Sequence, residues 1–406
     1  MAEPLIRPFR GLIYNDKKID DISRCVCPPY DIITDPSAYY HRSVFNAIRL
    51  ELPIATPSAT EYDEAARTLQ EWLRDEVVIL DQPETIYIYE QEFLVDGITH
   101  MRRGLIPLVK LSPENILTHE QTRKAAREDR EKLIQRLGVF TSLIIALYDD
   151  KQMKIEKFVS STEKELIYSF TDELSIMNRF YRMRVSSQIS DLAALMEGKK
   201  LYIADGHHRL SVALKLGLPY VAMYLTDMYS EGIVILPYHR IAKLQSGKTL
   251  GQLLDAAKGV LRVDKVAFEG SDRLRRIVHS LASSPNPSFG LFHKEDRAHV
   301  YVLSQEKPFF TDENTPATLK KLSVNVAHAG LLKGLFGIRE EEISFVNEAP
   351  EAVQQVSEGT YDLALFVPPT TVEEVRDVAE HGLYMPPKST YFFPKILTGL
   401  VFHKYA

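Results

Sequence analysis

The stretch Leu201–Gly217, LYIADGHHRLSVALKLG, concentrates residues that do chemistry. An apolar run of strand type, Leu201 to Ala204, leads into Asp205-Gly206-His207-His208-Arg209, and Leu210, Ala213 and Leu214 then recur at helical spacing before Gly217 and Pro219 stop the helix. A strand feeding a helix through a polar turn gathers free backbone N–H groups and the positive helix end at one spot, which suits an anion and phosphate above all. Gly206 lets the backbone come close, while Arg209 and the two histidines can hold phosphoryl oxygens or pass protons. Two other uses compete. Asp205 can be the N-cap of a surface helix with its histidines in solvent, and paired histidines beside an aspartate can ligate a metal.

Two further places gather polar chemistry. In Leu117-Thr118-His119-Glu120-Gln121-Thr122-Arg123, Thr118 and Gln121 have capping-box spacing, which predicts a helix start with His119 and Glu120 in its first turn. The mixed charges that follow, Arg123 to Glu131, also suit a solvated helix face. Met385-Pro386-Pro387-Lys388-Ser389-Thr390 is a proline-stiffened loop that can offer an ammonium and two hydroxyls to a phosphate, or simply close the fold. A second His-Arg pair, His239-Arg240, follows a strand end, either at a site or in an exposed loop. Glycine-rich nucleotide loops, GxSxG, HExxH and kinase-type motifs are missing.

The elements that must position these groups are α/β in pattern. Ser58–Asp75 reads as a helix with Leu69 and Trp72 on its apolar face, Asp96-Gly97 as a hairpin turn between strands, and Thr141–Tyr148 as a strand. Tyr220–Leu225 and Leu363–Val367 also read as strands, 249–262 and 271–283 as helices, and Thr371 with Glu374 as a capping box. At 406 residues more than one core is expected. Hydrophobic content of 45% and charged content of 26% are those of a soluble globular protein, and a net charge of −6 argues against broad nucleic-acid binding. The N-terminus lacks the apolar core of a signal peptide and Gly138–Tyr148 is too short to span a bilayer, so a cytoplasmic protein without a membrane partner is expected. The two cysteines, Cys25 and Cys27, read as plain half-buried thiols.

Over its whole length, including PFRG, PPYD, HEQT, EDR, ADGHHR, PYHR and MPPKSTYFFPK, the chain resembles the domain-of-unknown-function family ten-fifteen. Leu201–Gly217, His119-Glu120-Gln121 and Tyr361–Lys395 also resemble the free-serine kinases of the ParB/sulfiredoxin-like superfamily. The resemblance implies a ParB-like nucleotide core (111–245) with the DGHHR motif, an N-terminal α/β extension (1–110) and a C-terminal α/β lobe (246–406) closing over the site. It implies a kinase that moves phosphate from ATP or ADP, with Mg2+, to free L-serine or a related hydroxy amino acid. Glu120 then falls on the catalytic base. Asp205 to Arg209 fall on the phosphate motif, with Asp205, His207 and His208 in catalysis and Asp205 as a candidate Mg2+ ligand. Lys388, Ser389 and Thr390 fall on the nucleotide loop, and His119, Thr122, Arg123, His239 and Arg240 are weaker substrate candidates. A ParB-like nucleotide-binding regulator and a metal-dependent hydrolase stay open as alternatives, as does a homodimer.

Overall fold

In the computed structural model, which describes residues 3–244, 247–307, 309 and 314–406, local sequence signals set most of the elements. Thr60 caps the helix Glu61–Arg74 by accepting from Asp63 N–H, and Ala65, Ala66, Leu69 and Trp72 form its buried stripe. Asp96 (φ +49°) and Gly97 (φ +81°) make a left-handed two-residue turn that joins Ile86–Val95 to Ile98–Ile106. The mixed α/β chain divides into two compact units, one of Met1–Thr118, Thr122–Val234 and Pro394–Ala406, the other of His119–Gln121 and Ile235–Phe393. No helix among the described residues is long and apolar enough to cross a membrane.

A ten-stranded sheet organises the first unit. Its main path runs Glu165–Thr171, Met177–Met183, Ile86–Val95, Ile98–Ile106, Tyr220–Asp227, Ile144–Tyr148, Leu201–Asp205 and Ile116–Leu117. Tyr220–Asp227 is parallel to Ile144–Tyr148, while Leu201–Asp205 is antiparallel to it and slips register between Ile203 and Asp205. Ile88, Leu105, Ile144, Ile203, Leu210 and Val221 share one core. Residues 1–110 are therefore not a separate layer: Val109 pairs with Val221 and Leu105 with Leu225 in the sheet that carries the DGHHR strand. The three-part division expected above gives way to two units, because edge strands bury their polar backbone by joining the larger sheet.

The second unit is built on a six-stranded sheet in the order Leu261–Ala267, Asp296–Gln305, Ser288–His293, Leu363–Phe366, His239–Ala242, Ile343–Val346. Strand alternation places Leu363 and Leu365 in one core, and Ala364 and Phe366 in another. The capping box of Thr371 and Glu374 opens the helix Val372–Glu380.

Three local expectations are corrected, and one helix forms that no sequence signal marks. The helix after Thr118 starts at Lys124, because Arg123 is extended (ψ 133°) and His119 bonds within the second unit, its carbonyl accepting from Met385 N–H at 2.8 Å. Lys154–Ser161, which carries no capping signal, is a helix behind a left-handed Met153. Leu261 and Arg262 belong to a strand, not to the preceding helix. The cysteines are fully buried rather than half-buried, and burial raises both thiols above their ordinary range.

Candidate functional site

The strand Leu201–Asp205 is buried throughout and ends on a glycine that only glycine's freedom allows: Gly206 has φ +87° and is the N-cap of the helix His207–Lys215. The helical ladder begins with Leu210 N–H donating to Gly206 C=O at 2.9 Å, which leaves the amides of His207, His208 and Arg209 at the open end. A Cβ on Gly206 would lie 3.1 Å from Ile144 Cα and 3.1 Å from Arg209 Nε, so the bare glycine lets the strand and the guanidinium pack close against its backbone.

Asp205 is not the cap of this helix. Its Oδ2 accepts from Arg209 Nη2 at 2.8 Å and its Oδ1 from Lys395 Nζ at 2.7 Å. Arg209 also donates through Nη1 to the Leu143 carbonyl. The three side chains are nearly out of solvent, at 8%, 4% and 8% exposed for Asp205, Arg209 and Lys395. Burial pushes the Asp205 carboxyl upward, but the charges of Lys395 and Arg209 outweigh it and hold the group well below the carboxylate range. Burial likewise opposes the charge of Arg209, and Asp205 restores it. Mg2+ does not fit at Asp205 as the residues stand, since both carboxylate oxygens already face cations. Among the described residues no group of three or more His, Cys, Asp and Glu is placed to hold a metal.

His208 has its ring committed to the chain. Nε2 accepts from Arg123 N–H at 3.0 Å, and Nδ1 lies 3.5 Å from the Tyr30 hydroxyl. A neutral ring that accepts at Nε2 carries its proton at Nδ1, facing Tyr30. Burial, aided by Arg209 and Arg123 and opposed by Asp31, lowers this imidazole below the usual histidine value. The ring is thus a neutral strut between the helix end and the backbone of Arg123, which removes it as a metal ligand. Tyr30 stacks under Arg130, 4.3 Å from ring centroid to Cζ, and its N–H approaches Glu51 Oε1 at 3.4 Å. Glu51 is 1% exposed and accepts from the hydroxyls of Thr141 and Ser142.

The first unit thus brings together Asp205, Gly206, His207, His208, Arg209 and Arg123, with Thr122 beside Arg123 in sequence. The second unit holds His119, Glu120, His239, Arg240, Lys388, Ser389 and Thr390. His239 and Arg240 are not an exposed loop pair: they lie on a strand hydrogen-bonded on both sides, at 2% and 0% exposed. Burial and the charge of Arg240 push His239 down to about 3, and burial pushes Arg240 down to about 9 against the pull of Glu340. Arg240 Nη2 reaches the Lys388 carbonyl at 3.4 Å, and the Lys388 ammonium sits 5.1 Å above the ring of Tyr238. Lys388 itself is left-handed (φ +54°), a strained conformation for a lysine. The Ser389 hydroxyl donates to the Pro386 carbonyl at 2.6 Å, so its proton shapes the loop and is not offered outward.

Sequence reasoning missed Lys395, Tyr30 and Glu51. Lys395 was signalled as a lone charge in an apolar run, Phe392-Phe393-Pro394-Lys395-Ile396, and Glu51 as a charge set among the leucines of Leu50-Glu51-Leu52, while nothing local marks Tyr30.

A family model described as "Protein of unknown function (DUF1015)" matches residues 6–325. No curated protein matches the chain. Among solved structures the chain is similar to a free serine kinase in complex with AMP, at 15% identity and TM-score 0.37, over 70% of this chain and 86% of that one. A conserved hypothetical protein from Pyrococcus furiosus is similar at 15% identity and TM-score 0.37, over 71% and 92%. So is SbnI with C-terminal truncation from Staphylococcus aureus, at 12% identity and TM-score 0.36, over 73% and 86%.

Proposed function

The chain belongs to the DUF1015 family, and we propose that it is a small-molecule kinase moving phosphate from ATP or ADP to the hydroxyl of free L-serine or a related hydroxy amino acid. We take the sheet-bearing first unit as its ParB/sulfiredoxin-like nucleotide core. One observation carries the reading: a glycine-led helix end opens three amides beside a buried Lys395–Asp205–Arg209 cluster. Such an end binds phosphate through its N–H groups and positive dipole.

Phosphoryl transfer asks the protein mostly for positioning and charge stabilisation. In this reading the amides of His207 to Arg209 hold the phosphate. Arg209 steadies the charge that spreads over the transferring group. His207 stands in the first turn of the same helix, while the neutral His208 positions the backbone at Arg123 and takes no proton. Glu120, half-buried, is assigned as the base that receives the acceptor hydroxyl's proton as the bond to phosphorus forms. Lys388 and Thr390 are assigned to the nucleotide. Mg2+ enters only as the partner of the nucleotide's own phosphates.

The test is direct. Purified protein is incubated with ATP or ADP, Mg2+ and L-serine, and O-phosphoserine is sought by mass spectrometry. Glu120→Gln is expected to abolish product while nucleotide affinity and folding stay near wild type. No product from either donor across a panel of hydroxy amino acids would sink the kinase. A regulator that binds nucleotide without turnover is the second reading, favoured by the committed ring of His208. A measurable nucleotide Kd with no product selects it.

A further inference from the structure

Arg7-Pro8-Phe9-Arg10, to which the kinase reading gives no part, lines a cleft of about 480 Å³ in the first unit together with residues 403–406. That volume lies within the range of small-molecule sites, roughly 300–1,000 Å³. Three of the lining residues are cations, and no acid pairs with them. Arg7 has its Cζ 3.9 Å from the ring centroid of Tyr220, and its side chain makes no hydrogen bond or ion pair among the described residues. A guanidinium placed over a ring keeps its N–H edges for another partner. Arg10 donates through Nε to the Asp81 carbonyl at 3.3 Å, which leaves its two terminal nitrogens. The Asp81 carboxylate does not answer it, since Arg182, Arg184 and the Tyr87 hydroxyl occupy both oxygens. Lys404 makes no ion pair among the described residues. Glu84 and the carboxyl end at Ala406 are the acids of the lining, so at least one positive charge stays in surplus, in a chain whose net charge is −6.

His403 adds a buried donor. Burial and the charge of Arg7 push its imidazole down to about 4, so the ring is neutral near neutral pH. Its Nδ1 accepts from Ala222 N–H at 3.4 Å, so the proton sits on Nε2, where no described residue accepts it. The ring lines the cleft, is 5% exposed, and is clamped by Phe140, stacked at 5.9 Å, and by the edge of Phe9, also at 5.9 Å.

We propose that this cleft binds an organic phosphate, a phosphomonoester carried on an aromatic or apolar body. Arg7, Arg10, Lys404 and the His403 N–H hold the phosphate, and Phe9, Leu108 and Tyr405 supply the apolar wall for the body. Four donor groups outnumber the two oxygens of a carboxylate, whereas the three terminal oxygens of a phosphomonoester can take several charge-assisted bonds at once. The ligand ties residues 7–10 to residues 403–406, the two ends of the first unit, so binding stabilises that unit. The cleft shares no residue with the DGHHR turn and its partners, and the inference does not rest on the kinase reading.

Calorimetric titration of the full chain with phenyl phosphate tests it, with benzoate and inorganic phosphate as further probes and Arg10→Gln and Lys404→Met as variants. Both side chains are exposed, so the variants are expected to fold as the wild type does, which thermal melting checks. Loss of one charge-assisted contact predicts that each variant binds phenyl phosphate about ten-fold more weakly or worse. Inorganic phosphate, which lacks the body, and benzoate, which offers fewer oxygens, are each expected to bind the wild type about ten-fold more weakly than phenyl phosphate. Wild-type affinity in either folded variant overturns the site, because a phosphate held at the helix end of residues 207–209 would report neither substitution. Benzoate as tight as phenyl phosphate overturns the phosphate assignment, and inorganic phosphate as tight overturns the apolar body. No binding of phenyl phosphate to the wild type at millimolar concentration overturns the proposal outright.

Discussion

Gly206→Ala is the substitution that most sharply separates backbone cost from site chemistry. A left-handed non-glycine residue costs roughly 1–2 kcal/mol. The new methyl would also stand 3.1 Å from Ile144 Cα, on a central strand that cannot retreat, and 3.1 Å from Arg209 Nε. Crowding of this kind adds about 1–3 kcal/mol. Gly217, at the other end of the same helix, provides the control. It too is left-handed (φ +66°), but a Cβ there meets nothing within 4 Å, so Gly217→Ala carries the backbone cost alone. Thermal denaturation should therefore show Gly206→Ala melting below Gly217→Ala by about 2–12 °C, at roughly 2–4 °C per kcal/mol for a unit of this size. Titration with pyrophosphate should show a loss of about ten-fold or more for Gly206→Ala and none for Gly217→Ala, since only the first moves the guanidinium. Equal melting temperatures for the two variants would refute the crowding argument, and equal affinities would refute the helix end beside Arg209 as the place where the anion binds.

Two other outcomes follow from buried carboxyls. Burial, with Asp150 and Glu156 adding to it, pushes Asp227 up to about 7, and its Oδ2 has no hydrogen-bond partner among the described residues. A raised carboxyl stabilises the fold while protonated, so this contribution is whole below about pH 4 and is lost as pH rises through about 7. Asp227→Asn should flatten that part of the pH–stability curve measured by urea denaturation, and an unchanged slope between pH 4 and 7 would count against it. Glu51→Gln turns one acceptor of the Thr141–Ser142–Tyr30 cluster into a donor facing donors. About 1–3 kcal/mol of stability should be lost, read as a lower denaturant midpoint; a midpoint equal to wild type would refute the assignment.

Much of the turn was legible because its signals are local. The strand run before Asp205, Gly206 and the helical period after it lie within one short stretch, as do the Asp96-Gly97 hairpin and the Thr371–Glu374 box. What failed to show was non-local. Nothing near Asp205 says that Lys395 will neutralise it, and the cap reading of Asp205 fails because that distant ammonium and Arg209 take its oxygens. The Thr118–Gln121 spacing looks like a helix start only if the residues stay in one unit, whereas His119–Gln121 fold with residues 235–393. His239 and Arg240 read as loop residues because charge suggests exposure, yet strands on either side bury them. Lys154–Ser161 was hidden by its left-handed Met153 and its length of 8 residues.

The first unit is discontinuous, and that fixes the order in which it can be finished. Residues 394–406 close it, with Phe402 bonded to Leu12, His403 paired with Phe140 and Lys395 on Asp205. On the ribosome the DGHHR turn emerges about midway, and it waits through some 190 further residues, among them the whole run 235–393, before its ammonium is made. A nascent or prematurely ended chain would carry the turn with Asp205 answered by Arg209 alone. The site is thus assembled last, and only a chain translated past Lys395 holds it complete.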